Sequence, residues 1–182
     1  MKFHLVDRIE SIEPGKRPDG TSCGRIVTSK ALSLAEEYLA DHFPAFPVMP
    51  GVLMLESLTQ SAAWLVRLEQ DFARSIIVLA AARNVRYASF VEPGNVLRCD
   101  VQATAIGDET AKFKAAGFVV DPRVGGDQPA RQAVSARLEL RCFNLADSDP
   151  SLAGADADIT AGLKERFKLI GGPAALASSA QT

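Results

Sequence analysis

The chain has 182 residues, the length of one domain and enough to bury a sizeable single core. Hydrophobic residues make up 47% and charged residues 23%, ordinary proportions for a globular protein. With 20 Lys plus Arg against 22 Asp plus Glu, the formal net charge is -2, which lacks the basic excess of a dedicated nucleic-acid binder. Cys23, Cys99 and Cys142 are odd in number and far apart, so they suggest neither a disulfide framework nor a metal site and read as reduced thiols of a cytoplasmic protein.

The alternation of charged and apolar residues in Phe3–Ile12 predicts a first strand, ended by Glu13-Pro14-Gly15-Lys16, without the apolar run of a signal peptide. Arg25–Thr28 reads as a second, short strand. Leu32, Leu34, Ala35, Tyr38 and Leu39 give a short helical spacing with Ser33 as its cap. The Pro-rich stretch from His42 to Pro50 cannot be regular helix. Pro50 then stands at the first position of a long helix from Val52 to about Asp71, apolar on almost every side in its first four turns, which must be wrapped by other structure. Phe43 to Val66 contains Glu56 as its single charge, yet Pro44, Pro47, Pro50 and the polar cluster around Ser57–Ser61 do not suit a membrane span.

Strand patterns follow. Ser75–Ala81 is a continuous apolar run, Arg83–Phe90 alternates, and Val96–Ile106, Ala111–Asp121 and Gln132–Phe143 are separated by Pro93-Gly94-Asn95, Gly107-Asp108 and Gly125-Gly126. One buried helix followed by long antiparallel-type strands is an α+β arrangement, best met by a sheet curled round the helix. From Asp147 the composition turns to Ala, Gly, Asp and Ser, which divides the chain into a domain of residues 1–146 and a low-complexity tail of 147–182. Within the tail Ile159, Leu163, Phe167 and Ile170 predict a short amphipathic helix, docked on the domain or lying over a substrate entrance, and the final GGPAALASSAQT reads as disordered.

The chemistry concentrates between Asp41 and Gln60. A histidine beside apolar residues is usually structural, but a carboxylate inside an apolar helix must be paired, protonated or turned to a polar cavity. Gln60, one turn after Glu56, can supply a hydrogen bond on the same face.

His42-Phe43-Pro44, the run Pro47-Val48-Met49-Pro50-Gly51-Val52-Leu53, and Glu56 followed by Gln60 resemble the signature of the 3-hydroxyacyl-[acyl-carrier-protein] dehydratases of the FabZ type. Phe3-His4-Leu5-Val6-Asp7-Arg8-Ile9 and Val85-Arg86-Tyr87-Ala88-Ser89-Phe90-Val91-Glu92-Pro93-Gly94-Asn95 fit the same family, so the resemblance spans roughly Phe3 to Phe143. It implies a hot-dog fold, an antiparallel sheet wrapped round a central helix, paired into a homodimer and commonly assembled further into a hexamer, a trimer of dimers. It also implies an active site at the dimer interface, with His42 from one protomer as the base and Glu56 from the other as the acid, acting on substrate carried by acyl carrier protein. In the family a glycine amide binds the thioester oxygen, and that role falls to Gly51, with Val52 and Gln60 beside it in the substrate site.

A neutral imidazole suits removal of the weakly acidic proton next to a thioester carbonyl, and a carboxylic acid suits protonation of the departing hydroxyl. No cofactor, metal or nucleotide is needed for that reaction. Where the family usually reads His-Phe-Pro-Gly this chain has Ala45, and Asp41 precedes the histidine where glycine is frequent. A Cβ at Ala45 strains the loop if the position needs positive φ and otherwise only narrows the pocket.

His4 is expected to be structural, within the first strand. Tyr87 and Phe90 are expected in the core or tunnel wall, as are Leu53, Met49, Met54 and Trp64. Arg83, Arg86, Arg98, Lys112 and Lys114 are candidates for meeting an acidic carrier protein. Other hot-dog activities, a thioesterase or an enoyl hydratase, are the enzymatic alternatives, and a non-catalytic acyl-binding or partner subunit is the alternative from another class.

Overall fold

A computed structural model describes residues 4–15, 23–123 and 131–179. The chain runs β1 (Arg8–Glu13), β2 (Arg25–Ala31), α1 (Gly51–Glu69), β3 (Ile76–Tyr87), β4 (Val96–Ile106), β5 (Thr110–Val120), β6 (Arg131–Phe143), α2 (Ala153–Leu169) and α3 (Gly172–Ser179). The strands form one antiparallel sheet in the order β1-β2-β4-β5-β6-β3, so β1 and β3 are its edges.

The sheet curls because of its pattern. Along β4, β5 and β6 alternate residues (Leu97, Cys99, Val101; Phe113, Ala115; Leu138, Leu140, Cys142) are buried, and a strand with one apolar face must cover it. What covers it is α1, whose Met54, Leu58, Ala62, Leu65 and Val66 are buried in the common core. This is the arrangement that the resemblance implies.

The helix also buries Ser57, Thr59 and Ser61. Their hydroxyls donate to the carbonyls one turn back, of Leu53, Leu55 and Ser57, so none of the three is left without an acceptor. Ser61 Oγ also pairs with Thr28 Oγ1 at 2.7 Å, tying α1 to β2. Beside them burial pushes the Cys99 thiol up to about 12 and keeps it protonated.

Several boundaries differ from expectation. The first strand begins at Arg8 rather than Phe3, and β2 continues to Ala31. Phe3, Lys16 and Gly125-Gly126 lie outside the described residues. The helix expected over Leu32–Leu39 is a single 3-10 turn, Glu37–Leu39, although Ser33 Oγ does accept the Ala35 N–H at 3.2 Å. A buried ion cluster governs this region instead: Lys30 reaches Glu36 at 2.7 Å and Asp7 at 3.3 Å. Pro50 is the N-cap and not the first helical residue. The two β segments expected after the helix are one strand, β3, with shifts in register at Leu79/Ala81 and Arg83/Arg86.

The C-terminal region is more ordered than its composition suggests. Helix α2 has 17 residues, and Phe167 packs its ring 6.0 Å from Trp64 and 5.8 Å from Phe72. Gly171, at φ 86, turns the chain into α3, and the Ile170 carbonyl accepts the Ile9 N–H at 2.7 Å, joining the tail to edge strand β1. The segment Gly172–Ser179, expected to be disordered, is therefore helical.

Candidate active site

His42 sits at the start of the proline-stiffened loop, and backbone hydrogen bonds fix that loop at both ends. The His42 N–H donates to Tyr38 O at 3.1 Å, Val48 N–H donates to His42 O at 3.0 Å, and Met49 N–H donates to Val91 O at 2.9 Å. Between them Phe43 and Phe46 close a tight turn, N–H to carbonyl in both directions. Ala45, in that turn, is not among the non-glycine residues with positive φ, which are Asp71, Phe72 and Asn84. The methyl group there brings no backbone strain.

The imidazole is oriented as well. His42 Nδ1 lies 2.9 Å from Val48 O, and a carbonyl can only accept, so Nδ1 carries the proton and donates it. In the neutral ring Nε2 is thereby left with its lone pair.

Glu56 stands in the second turn of α1, half-buried. Gln60 Nε2 donates to Glu56 Oε1 at 2.9 Å, while Gln60 Oε1 accepts the Leu5 N–H at 3.0 Å. Gln60 thus links the carboxylate to the segment leading into β1. Glu56 opens on a pocket of about 240 Å³ that Gln60, Trp64 and Arg67 line from the same helix, and His42 is not among its lining residues.

Gly51 begins the helix. The first intrahelical bonds come from the Leu53 and Met54 N–H groups to Pro50 O, which places the Gly51 and Val52 amides among the leading donors that a helix leaves for other partners. A Cβ on Gly51 would lie 3.0 Å from the Tyr87 ring. Val52 is 69% exposed.

The core placement of Tyr87 and Phe90 and the strand placement of His4 need correction. Tyr87 and Phe90 are exposed, because β3 is an edge strand and the turn after it leaves the sheet; Phe90 meets Phe46 edge-on at 5.5 Å. His4 is outside the first strand, exposed, and lines the Glu56 pocket. Met49, Met54 and Trp64 are in the core, and Leu53 packs partly buried against it.

The basic candidates divide. Arg83, Arg86, Lys112 and Lys114 line adjoining grooves on the outer sheet face together with Arg137, whereas Arg98 is taken up by Glu10 at 2.8 Å. Arg83 pairs across the strands with Arg137, and Arg137 with Lys114. Like charges directly opposite one another on a sheet are unfavourable by themselves.

Leu163, expected on a helix docked on the domain or lying over a substrate entrance, does line the Glu56 pocket, whereas reasoning from sequence missed Arg67 and Arg166 there. For Arg67 a signal exists: it follows Glu56 by about three helical turns and lies on the same face. For Arg166 there is none, since only the packing of Phe167 brings its side of the helix there.

Residues 1–126 match the family model described as a FabA-like domain. The "3-hydroxyacyl-[acyl-carrier-protein] dehydratase FabZ" of Caulobacter sp. (strain K31) is 34% identical over 145 residues, covering 79% of this chain and 80% of that protein. The FabZ of Pediococcus pentosaceus is 37% identical over 98 residues, covering 54% of this chain, and the chain spans 60% of that protein's length. Among solved structures, a chain of the dehydratase heterocomplex ApeI:P from Xenorhabdus doucetiae superposes with a TM-score of 0.55 at 16% identity, covering 82% of this chain and 89% of that one. That likeness is one of fold.

Proposed function

The chain belongs to the FabA-like family, and from that membership we propose that it dehydrates 3-hydroxyacyl-[acyl-carrier-protein] to the trans-2-enoyl thioester in fatty acid biosynthesis, as the relatives named FabZ do. The reaction is a hydro-lyase step: a C–H bond next to the carbonyl and the C–O bond at carbon 3 break, a C=C bond forms, and water leaves.

The observation that carries this reading is the fixed tautomer of His42. With Nδ1–H donating to Val48 O, Nε2 is held ready as the base that takes the proton. Glu56, steadied by Gln60, gives a proton to the departing hydroxyl and is reprotonated by the histidine or solvent. The amides of Gly51 and Val52 face the charge that develops on the thioester oxygen, favoured by the helix dipole.

In this reading the two groups meet across a homodimer, His42 from one protomer and Glu56 from its partner. The exposed apolar patch of Phe43, Phe46, Val52, Tyr87 and Phe90 beside edge strand β3 supports such a pairing. Further assembly into a hexamer, cytoplasmic location and acyl carrier protein as partner extend the same proposal. The row Arg83–Arg137–Lys114 supports an acidic partner, whose carboxylates would relieve the repulsion. Residues 1–146 form the catalytic domain in this scheme, and 147–182 a tail that lies against it. No helix among the described residues is long and apolar enough to cross a membrane.

The test is hydration of a trans-2-enoyl thioester, followed by loss of ultraviolet absorbance. His42→Ala and Glu56→Gln should each lower turnover by roughly two orders of magnitude or more, the ordinary cost of losing an acid–base group. Turnover that survives His42→Ala contradicts the mechanism.

A further inference from the structure

The C-terminal region also lines the pocket on which Glu56 opens. Sheet edges β1 and β3 leave a gap beside α1, and the lining passes from Val6, before β1, to Ile77, on β3. Leu163 and Arg166 of α2 cover this gap, held there by Phe167 against Trp64 and Phe72. Glu56, Gln60 and Arg67 share one face of α1, with the Cα atoms of Glu56 and Arg67 about 16 Å apart along the axis.

Two of the lining residues are cations. Neither Arg67 nor Arg166 forms an ion pair among the described residues. Arg67 Nε is buried and has no hydrogen-bond partner among them; the guanidinium lies 5.2 Å from the Trp64 ring centroid, and burial pulls it down to about 10. Arg166 has one long contact, its Nη2–H to Val6 O at 3.4 Å. A half-buried guanidinium with an unsatisfied donor is costly. Arg166 adds a second guanidinium to the same lining, and an incoming anion lowers the cost at Arg67.

Resting on the dehydratase reading, we propose that Arg67 and Arg166 make the end of this pocket a receptor for a carboxylate at the far end of the acyl chain, so that the substrate class is carboxyl-ended acyl thioesters. Ala63 and Trp64 lie between Glu56 and Arg67 along α1, and Val6, Ile77 and Leu163 add apolar surface to the same lining, against which methylene carbons fit. Guanidinium and carboxylate match in geometry, which makes a bidentate contact the expected one.

The experiment is calorimetric titration of the full-length protein with decanoyl-CoA and with its carboxyl-ended counterpart sebacoyl-CoA, extended to the twelve- and fourteen-carbon pairs. Binding is read directly, so the result stands whether or not the protein turns over enoyl thioesters. At one chain length or more the carboxyl-ended ligand should bind at least about tenfold more tightly than its methyl-ended twin, as a charge-assisted bond provides. Arg166→Gln should bring the ratio close to one. Arg67→Lys, which keeps the charge and loses the fork, should reduce it in part. Equal or weaker binding of the carboxyl-ended ligands at every length, binding of neither kind, or a preference that survives Arg166→Gln overturns the inference. The dehydratase reading fails separately, by absence of turnover of both substrate kinds.

Discussion

At Gly51 two effects of similar size oppose each other. Replacing glycine by alanine within a helix gains up to about 1 kcal/mol, while a methyl group there meets the Tyr87 ring at 3.0 Å. Tyr87 is half-exposed and can move, so Gly51→Ala should leave the melting free energy within about 1 kcal/mol of the wild type. Its effect on catalysis should be larger, a loss of about tenfold in kcat/KM, because a shift of a few tenths of an ångström at the helix start moves the oxyanion donors. Adding Tyr87→Ala should restore most of that loss; a double variant no better than the single one would place the defect elsewhere. The residues proposed for the site, His42, Gly51, Glu56 and Gln60, could be named from the sequence because each residue type carries its chemistry and the motif fixes their spacing. The hydrogen bond that selects the His42 tautomer was not, since Val48 offers a backbone carbonyl, which has no signature in sequence.

Among the elements, α1 and β4–β6 could be read almost to the residue because their burial is periodic. The tail could not, because its order comes from tertiary contacts rather than composition. Asp156 shows why. Its carboxylate accepts the Leu145 and Ala146 N–H groups, both at 2.9 Å, and the Ser75 hydroxyl, so one side chain joins α2 to the end of β6 and the start of β3. The Ser75 hydroxyl first, then these two amides, holds Asp156 below the usual carboxylate range. A carboxylate whose folded value is depressed contributes stability above its unfolded value, near 3.9, and loses it as pH falls through the folded one. Docking of α2 should therefore weaken below about pH 4. Fluorescence of Trp64, the chain's single tryptophan and a contact of Phe167, reports it. Asp156→Asn should release the helix already at neutral pH and flatten this acid transition; an unchanged acid transition in that variant would contradict the assignment.

On the scale of the whole molecule, the outer sheet face and the apolar edge make separate claims. If the row Arg83–Arg137–Lys114 receives an acidic carrier protein, the double variant Lys114→Glu/Arg137→Glu should raise KM for carrier-bound substrate about tenfold or more and leave CoA thioesters unaffected, with a salt dependence that flattens. An equal effect on both substrates would mean that these cations act on the fold. The edge at β3 carries the larger consequence, because a site divided between protomers behaves differently from one within a chain. Mixing the His42→Ala and Glu56→Gln proteins under conditions that exchange subunits tests this directly. If each site takes His42 from one protomer and Glu56 from the other, random exchange makes mixed dimers with one intact site, and the two inactive proteins together should recover about a quarter of wild-type activity. A mixture that stays as inactive as its components, with subunit exchange verified, would contradict the shared site.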